Sequence, residues 1–126
     1  IGASSLNELF RAAAILTFDV MADLKKISPS ITKKIRLKNK RLDNLLFSFI
    51  EELIFLKDSK YMLFSKFKIK IKENADKTFA LIAEIKGEKI NPKKHSLKTD
   101  VKAITLHNFY VKKIKNKYKT SIILDI

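Results

Sequence analysis

Both histidines of the chain, His95 and His107, fall in one stretch from Asn91 to Val111, with an acid, Asp100, directly ahead of Val101 and Lys102. The stretch opens on a turn-forming Asn91-Pro92 pair and passes into a β-prone run, so reactive side chains and backbone constraint are densest here. The chemistry open to them is narrow. A strand-forming segment separates the two histidines, where a paired zinc site would have a short helical spacing. His95 is expected to organise the turn through a ring-to-backbone hydrogen bond and His107 to be a polar strand position; general acid or base work would require a reacting group beside either ring. The chain holds no cysteine, no Gly-rich phosphate loop, no Gly-x-Ser-x-Gly elbow and no His-Glu-x-x-His. Thiolate zinc sites, cysteine nucleophiles and disulfides are thereby excluded. Far along the sequence, Asp125-Ile126 offers a carboxylate followed by main-chain or terminal oxygens. Such hard donors suit Mg²⁺ or Ca²⁺ better than zinc, although on sequence alone the pair reads as a frayed strand end.

In order along the central stretch stand Pro92, His95, Leu97, Thr99, Asp100, Val101, Lys102, Ala103, Ile104 and Thr105. That series resembles the signature of the archease family: a Pro, two residues, a His, then Leu, a spacer, Thr, an acid, Val-Lys-Ala, an aliphatic residue and Thr. The resemblance extends over nearly the whole chain. It runs through Leu6-Asn7-Glu8-Leu9-Phe10, Phe18-Asp19-Val20-Met21 and Glu52-Leu53-Ile54-Phe55-Leu56, then Leu63-Phe64-Ser65-Lys66-Phe67 and Ile123-Leu124-Asp125-Ile126. The family pattern also places a strand and a His-Thr-Ala-Asp segment immediately before the Ile-Gly that here is Ile1-Gly2, and the 126 residues do not include it.

What the resemblance implies is a single archease-like domain over residues 1–126 and a protein that is not an enzyme. The implied role is that of a cytoplasmic activator of the RtcB-type RNA ligase that joins tRNA halves. It would promote ligase guanylylation and multiple turnover, with any tRNA contact weak or indirect. A divalent metal ion is implied too, calcium foremost and magnesium or manganese as alternatives, held by the Asp of the upstream segment together with Asp125 and Ile126. Lys102, Asp100 and His95 are carried over as the residues that act on the partner. A strand-anchored Lys102 ammonium could stabilise triphosphate oxygens or pair with a carboxylate of the partner's active site. A basic RNA-binding or chaperone-like module acting on the RNA substrate is the alternative class. A metal-dependent hydrolase is a third, for which too few convergent polar residues are visible.

Charge bears on the same choice. Lys and Arg number 27 against 13 acids, a formal net charge of +14 that comes almost wholly from lysine. Such a field raises encounter rates with polyanions. A composition rich in Lys, Ile, Asn and Phe accounts for it equally well, and the scarcity of arginine leaves few bidentate forks for reading bases. No apolar run reaches the length of a membrane span; Ala12 to Phe18 comes nearest.

The elements that must position these residues follow from periodicity. A chain of 126 residues can bury roughly two-thirds of the surface it exposes when unfolded, so one core suffices. Ser5-Leu6-Asn7-Glu8 reads as a capping box opening a largely buried helix that ends near Asp23. Alternation from Ile31 to Lys38 predicts a strand with a basic outer face, read as a lysine-guarded sheet edge with a phosphate-tracking groove as the alternative. A second amphipathic helix is predicted from Leu42 to Lys57; Phe47 and Phe55 lie off its stripe and are expected to be covered by neighbouring structure, with a partner protein as the alternative cover. Two hairpins follow. One joins Lys66–Lys72 to Phe79–Ile85 through Asn74-Ala75-Asp76-Lys77, with Gly87 expected at the exit bend; the other joins Thr105–Ile114 to Tyr118–Asp125. The alternating lysines Lys66, Lys68, Lys70 and Lys72 are expected to be a solvated face. This order implies an α+β fold, two helices packed on a mostly antiparallel sheet.

Overall fold

The Ser5 hydroxyl accepts from the Glu8 amide at 3.2 Å and starts helix α1, Leu6–Met21. It satisfies one of the amides that a helix start leaves without a partner. Helix α1 stops short of Asp23 because the Asp23 carboxylate caps a separate 3₁₀ turn, Leu24–Lys26. The computed structural model describes residues 2–126, excepting the side chains of 106–110.

After α1 come β2 (Ile31–Asn39), α2 (Leu42–Lys60), β3 (Met62–Glu73), β4 (Phe79–Lys89), a one-turn helix α3 (Pro92–His95), β5 (Ala103–Ile114) and β6 (Lys117–Asp125). A short strand β1, Gly2–Ala3, precedes them. The strands form two three-stranded sheets, β2-β4-β3 and β1-β6-β5, with every pairing antiparallel. The predicted α+β architecture is therefore observed, with the strands split between two sheets and a third, minimal helix added. Strand β2 lies at a sheet edge, as its guarding lysines predict.

The core follows from the two periodicities. Helix α1 contributes Leu9, Phe10, Ala13, Ala14 and Phe18, and α2 contributes Leu45, Leu46, Phe49, Ile50 and Leu53, all fully buried. They close over the inward set of the β2-β4-β3 sheet, where Phe67, Ile69, Leu81, Ala83 and Ile85 alternate with outward-facing residues. Phe18 packs edge-on against Phe64 with centroids 5.6 Å apart, joining helix to sheet.

Two expectations are corrected here. Phe47 is packed against the core, but Phe55 is 57% exposed because it lies on the solvent side of α2 with nothing over it among the described residues. Gly87 is not at an exit bend; it lies inside β4, opposite Ile31 on one side and Phe64 on the other. The register shifts between Phe64 and Lys66, and this irregularity brings the β3 backbone so close that only a hydrogen fits at Gly87. The His107 side chain lies outside the described residues.

Candidate functional site

The segment between α3 and β5 carries the residues the sequence singled out, and it is pinned at every step. Asn91 caps α3 by accepting from the Lys93 amide at 3.1 Å, with Pro92 at the first helical position, where a missing N–H costs nothing. Ser96 takes a left-handed φ of 46° and turns the chain out of the helix. The Lys98 amide then donates to the Met21 carbonyl at 2.8 Å and the Thr99 amide to the Val20 carbonyl, partnering acceptors at the open end of α1.

His95 is fully buried and both its ring nitrogens are engaged. The Asn91 amide donates to Nδ1 at 2.8 Å, so that nitrogen carries no hydrogen, and Nε2 donates to Glu88 at 2.8 Å. The expected ring-to-backbone bond is thus present, and Glu88 is its unforeseen second anchor. Glu88 also accepts from the Lys94 ammonium at 3.0 and 2.7 Å and from the Ser28 amide at 2.6 Å. Hydrogen bonding from His95 first, then Lys94 and the Ser28 amide, holds its carboxyl down to about 2. The cluster fixes the start of the segment and leaves the imidazole no atom free for an outside group.

Asp100 is likewise engaged. Its carboxylate accepts from the Lys57 ammonium, which also donates to the Val101 carbonyl at 2.7 Å and meets Asp58 at 2.8 Å. Burial opposes the charge of Lys57, but the bonds from Asp100 and Asp58 outweigh it and raise its pKa above the ordinary lysine value. The sequence marks Lys57 only as the end of the predicted second helix. Nothing in the sequence pairs it with an acid 43 residues away.

Lys102 and Asp125 are brought together. The Lys102 amide donates to the Asp125 carbonyl at 2.7 Å, and the next residue, Ala103, stands opposite Asp125 in the β5–β6 ladder. Both side chains are exposed, and among the described residues neither makes an ion pair. Beside them lies an open groove of about 600 Å³ lined by Phe47, Ala103, Ile104, Thr105, Ile123 and Leu124 as well as Asp125. Ile126 is 66% exposed at the same edge. A free ammonium, a free carboxylate and an apolar groove thus share one end of the β1-β6-β5 sheet.

Comparison with known proteins decides what kind of chain this is. A model of the Archease protein family (MTH1598/TM1083) matches residues 1–126. The chain belongs to the archease family. It is 38% identical to the protein archease of Sulfurisphaera tokodaii over 97% of this chain and 86% of that one. It is 35% identical to the protein archease of Pyrococcus abyssi, with the same coverage of both. The solution structure of Methanobacterium thermoautotrophicum protein 1598 superposes with a TM-score of 0.86 at 31% identity, covering 99% of this chain and 88% of the other. An archease of Thermotoga maritima, described as a possible chaperone, has the same fold at a TM-score of 0.66 and 19% identity, covering 100% of this chain and 87% of the other.

Within this archease, the family stretch divides into two parts. His95 and Asp100 hold the segment in place, through Glu88 and Lys57, whereas Lys102 presents a free charge beside Asp125. Among the described residues no group of three or more metal-ligating side chains occurs. Asp125 and the main-chain oxygen of Ile126 fit a hard divalent ion in kind but supply only part of the roughly six to eight oxygens that calcium takes. No helix among the described residues is long and apolar enough to cross a membrane.

Proposed function

We propose that this archease is a non-catalytic activator of an RtcB-type RNA ligase, promoting guanylylation and multiple turnover, and that it acts from the edge formed by Lys102, Asp125 and Ile126. The observation that carries this reading is the pairing of Lys102 with Asp125 through their main chains, which leaves both side chains exposed and without an ion pair among the described residues at one end of the β1-β6-β5 sheet. Phosphoryl-group transfer depends chiefly on positioning and charge neutralisation, so a small protein can assist it by adding one placed cation to a partner's nucleotide pocket. Lys102 would supply that cation. A divalent ion, calcium first among the candidates, would be held by Asp125 and Ile126 with oxygens from the His-Thr-Ala-Asp segment of the family pattern, and would bring further positive charge to the same edge. The groove beside Asp125 gives the ligase an apolar seat. His95 and Asp100 would contribute by holding the segment that presents Lys102.

The test is formation of the ligase–guanylate adduct with and without this protein, both as residues 1–126 and extended upstream by His-Thr-Ala-Asp. Faster adduct formation and repeated turnover by the ligase are expected. A ligase rate indifferent to both versions would overturn the proposal.

A further inference from the structure

The solvent face of the β2-β4-β3 sheet has two basic rails. Alternation along β3 turns Lys66, Lys68, Lys70 and Lys72 outward while Phe67 and Ile69 enter the core. On β2 the outward residues are Thr32, Lys34, Arg36 and Lys38. Each strand alone reads as a solvated strand, but both pair with β4, and the registers align them. Lys34, Glu84 and Lys68 share one row, Arg36, Ile82 and Lys70 the next, and Lys38, Ala80 and Lys72 the one after. Neighbouring strands lie about 4.8 Å apart, so the rails stand about 10 Å from each other, with cations recurring every ~6.6 Å along each. Between them β4 offers the low floor of Ala80 and Ile82, with a hollow of about 170 Å³ bounded by Lys68, Lys70, Ile82 and Glu84.

Acids neutralise little of this. Glu84 approaches Lys86 at 3.9 Å and Asp76 approaches Lys38 at 3.5 Å. Lys34, Arg36, Lys66, Lys68, Lys70 and Lys72 make no ion pair among the described residues. Both β2 and β3 are edge strands, where lysines guard against pairing with another chain; the registers add that the two rows stand directly opposite each other across β4. Like charges held this close on one rigid face repel, and a polyanion laid between them relieves that repulsion.

We propose that this face binds the sugar-phosphate backbone of duplex RNA. No aromatic side chain stands on it to stack an unpaired base, so a duplex fits better than a single strand. Lysines contact phosphates as point charges and carry no base preference. An acidic protein would want a buried apolar anchor, and Ile82 is the lone apolar side chain of any size on the face. The choice of RNA rests on the proposed role beside an RNA ligase; the assignment of the face as a phosphodiester site rests on the registers alone.

The experiment is fluorescence anisotropy of a short RNA duplex with the isolated protein across a salt series, with no ligase present. Affinity should fall linearly on a log–log plot. Lys68→Glu/Lys70→Glu should weaken binding about tenfold or more and flatten the slope by roughly 2, close to one unit per lost phosphate contact. The charge-matched Lys115→Glu/Lys117→Glu, on the β5–β6 turn, should stay within about twofold. Lys68→Gln/Lys70→Gln, which keeps solvated side chains, should lose affinity in the same direction with an unchanged circular dichroism spectrum. Equal losses in the two charge-reversed proteins would overturn the proposal in favour of bulk charge. A polyglutamate peptide binding as tightly as RNA through the same lysines would overturn it in favour of an acidic protein. Retention of faster ligase guanylylation by Lys68→Glu/Lys70→Glu, measured with no RNA present, separates this face from the Lys102 edge.

Discussion

The main-chain amide of Lys102 donates to the main-chain carbonyl of Asp125 at 2.7 Å. The bond joins the family stretch to the end of β6 without using either side chain. Substituting the ammonium or the carboxylate therefore leaves the backbone relationship intact, and each side chain can be tested apart from the fold.

Lys57 is predicted to be the structural keystone of the segment before Lys102. It is 4% exposed and donates to the Val101 carbonyl and two carboxylates. Lys57→Met should cost about 1–3 kcal/mol in urea denaturation, mainly through the orphaned carbonyl. Asp100→Asn, at an exposed site, should cost less. Equal stability of Lys57→Met and the parent would show that the segment is held by other means.

Glu88 gives the protein an acid-sensitive contact. Its carboxyl titrates at about 2 in the fold against an ordinary 4.5, so its contribution is complete above pH 4.5 and is lost as pH falls towards 2. The urea midpoint of the parent should drop across that window. Glu88→Gln should be less stable near neutrality and lose less on acidification. Parallel pH profiles for the two proteins would remove the His95–Glu88 bond from the account.

Gly87→Ala should be severely destabilising. A Cβ there would lie 1.8 Å from the Leu63 carbonyl oxygen and 2.7 Å from the Phe64 Cα, both backbone atoms that cannot step aside cheaply. A loss of about 3 kcal/mol or more, or failure to fold, is expected. Gly2→Ala, whose nearest neighbour would be 3.7 Å away, should melt like the parent.

These cases mark where sequence reading succeeds and fails. Helix α1 was legible because Ser5 and Glu8 form a local signal, and β3 and β4 because their alternation is local too. The turn role of His95 was legible for the same reason, since Asn91 lies one helical turn away. Gly87 was misplaced because its constraint comes from a bulge on another strand. Lys57–Asp100 and the two aligned lysine rails were not legible, since both depend on registers between distant segments. The nearness of Lys102 to Asp125 was only half legible, since the hairpin was predicted from Thr105 and the observed pairing runs two residues further, to Ala103.

The metal is predicted to follow donor number. Calorimetry with Ca²⁺ should give weak binding for residues 1–126 alone and much tighter binding for a version extended by His-Thr-Ala-Asp, because added oxygens offset desolvation and the surrounding positive field. Asp125→Asn should abolish the tight site, while Asp76→Asn, in the β3–β4 turn, should not. Equal affinity for residues 1–126 and the extended version would remove the metal from this edge.

The central claim is that one placed ammonium, and not the bulk charge of +14, activates the ligase. The most direct measurement is the rate of ligase guanylylation, in the absence of RNA, with Lys102→Ala and Lys68→Ala compared at equal concentration. Lys102→Ala should lose about tenfold or more of the activation, a loss of roughly 1.4 kcal/mol of transition-state stabilisation, while Lys68→Ala should match the parent and both should fold. Equal activation by the two variants would contradict the account.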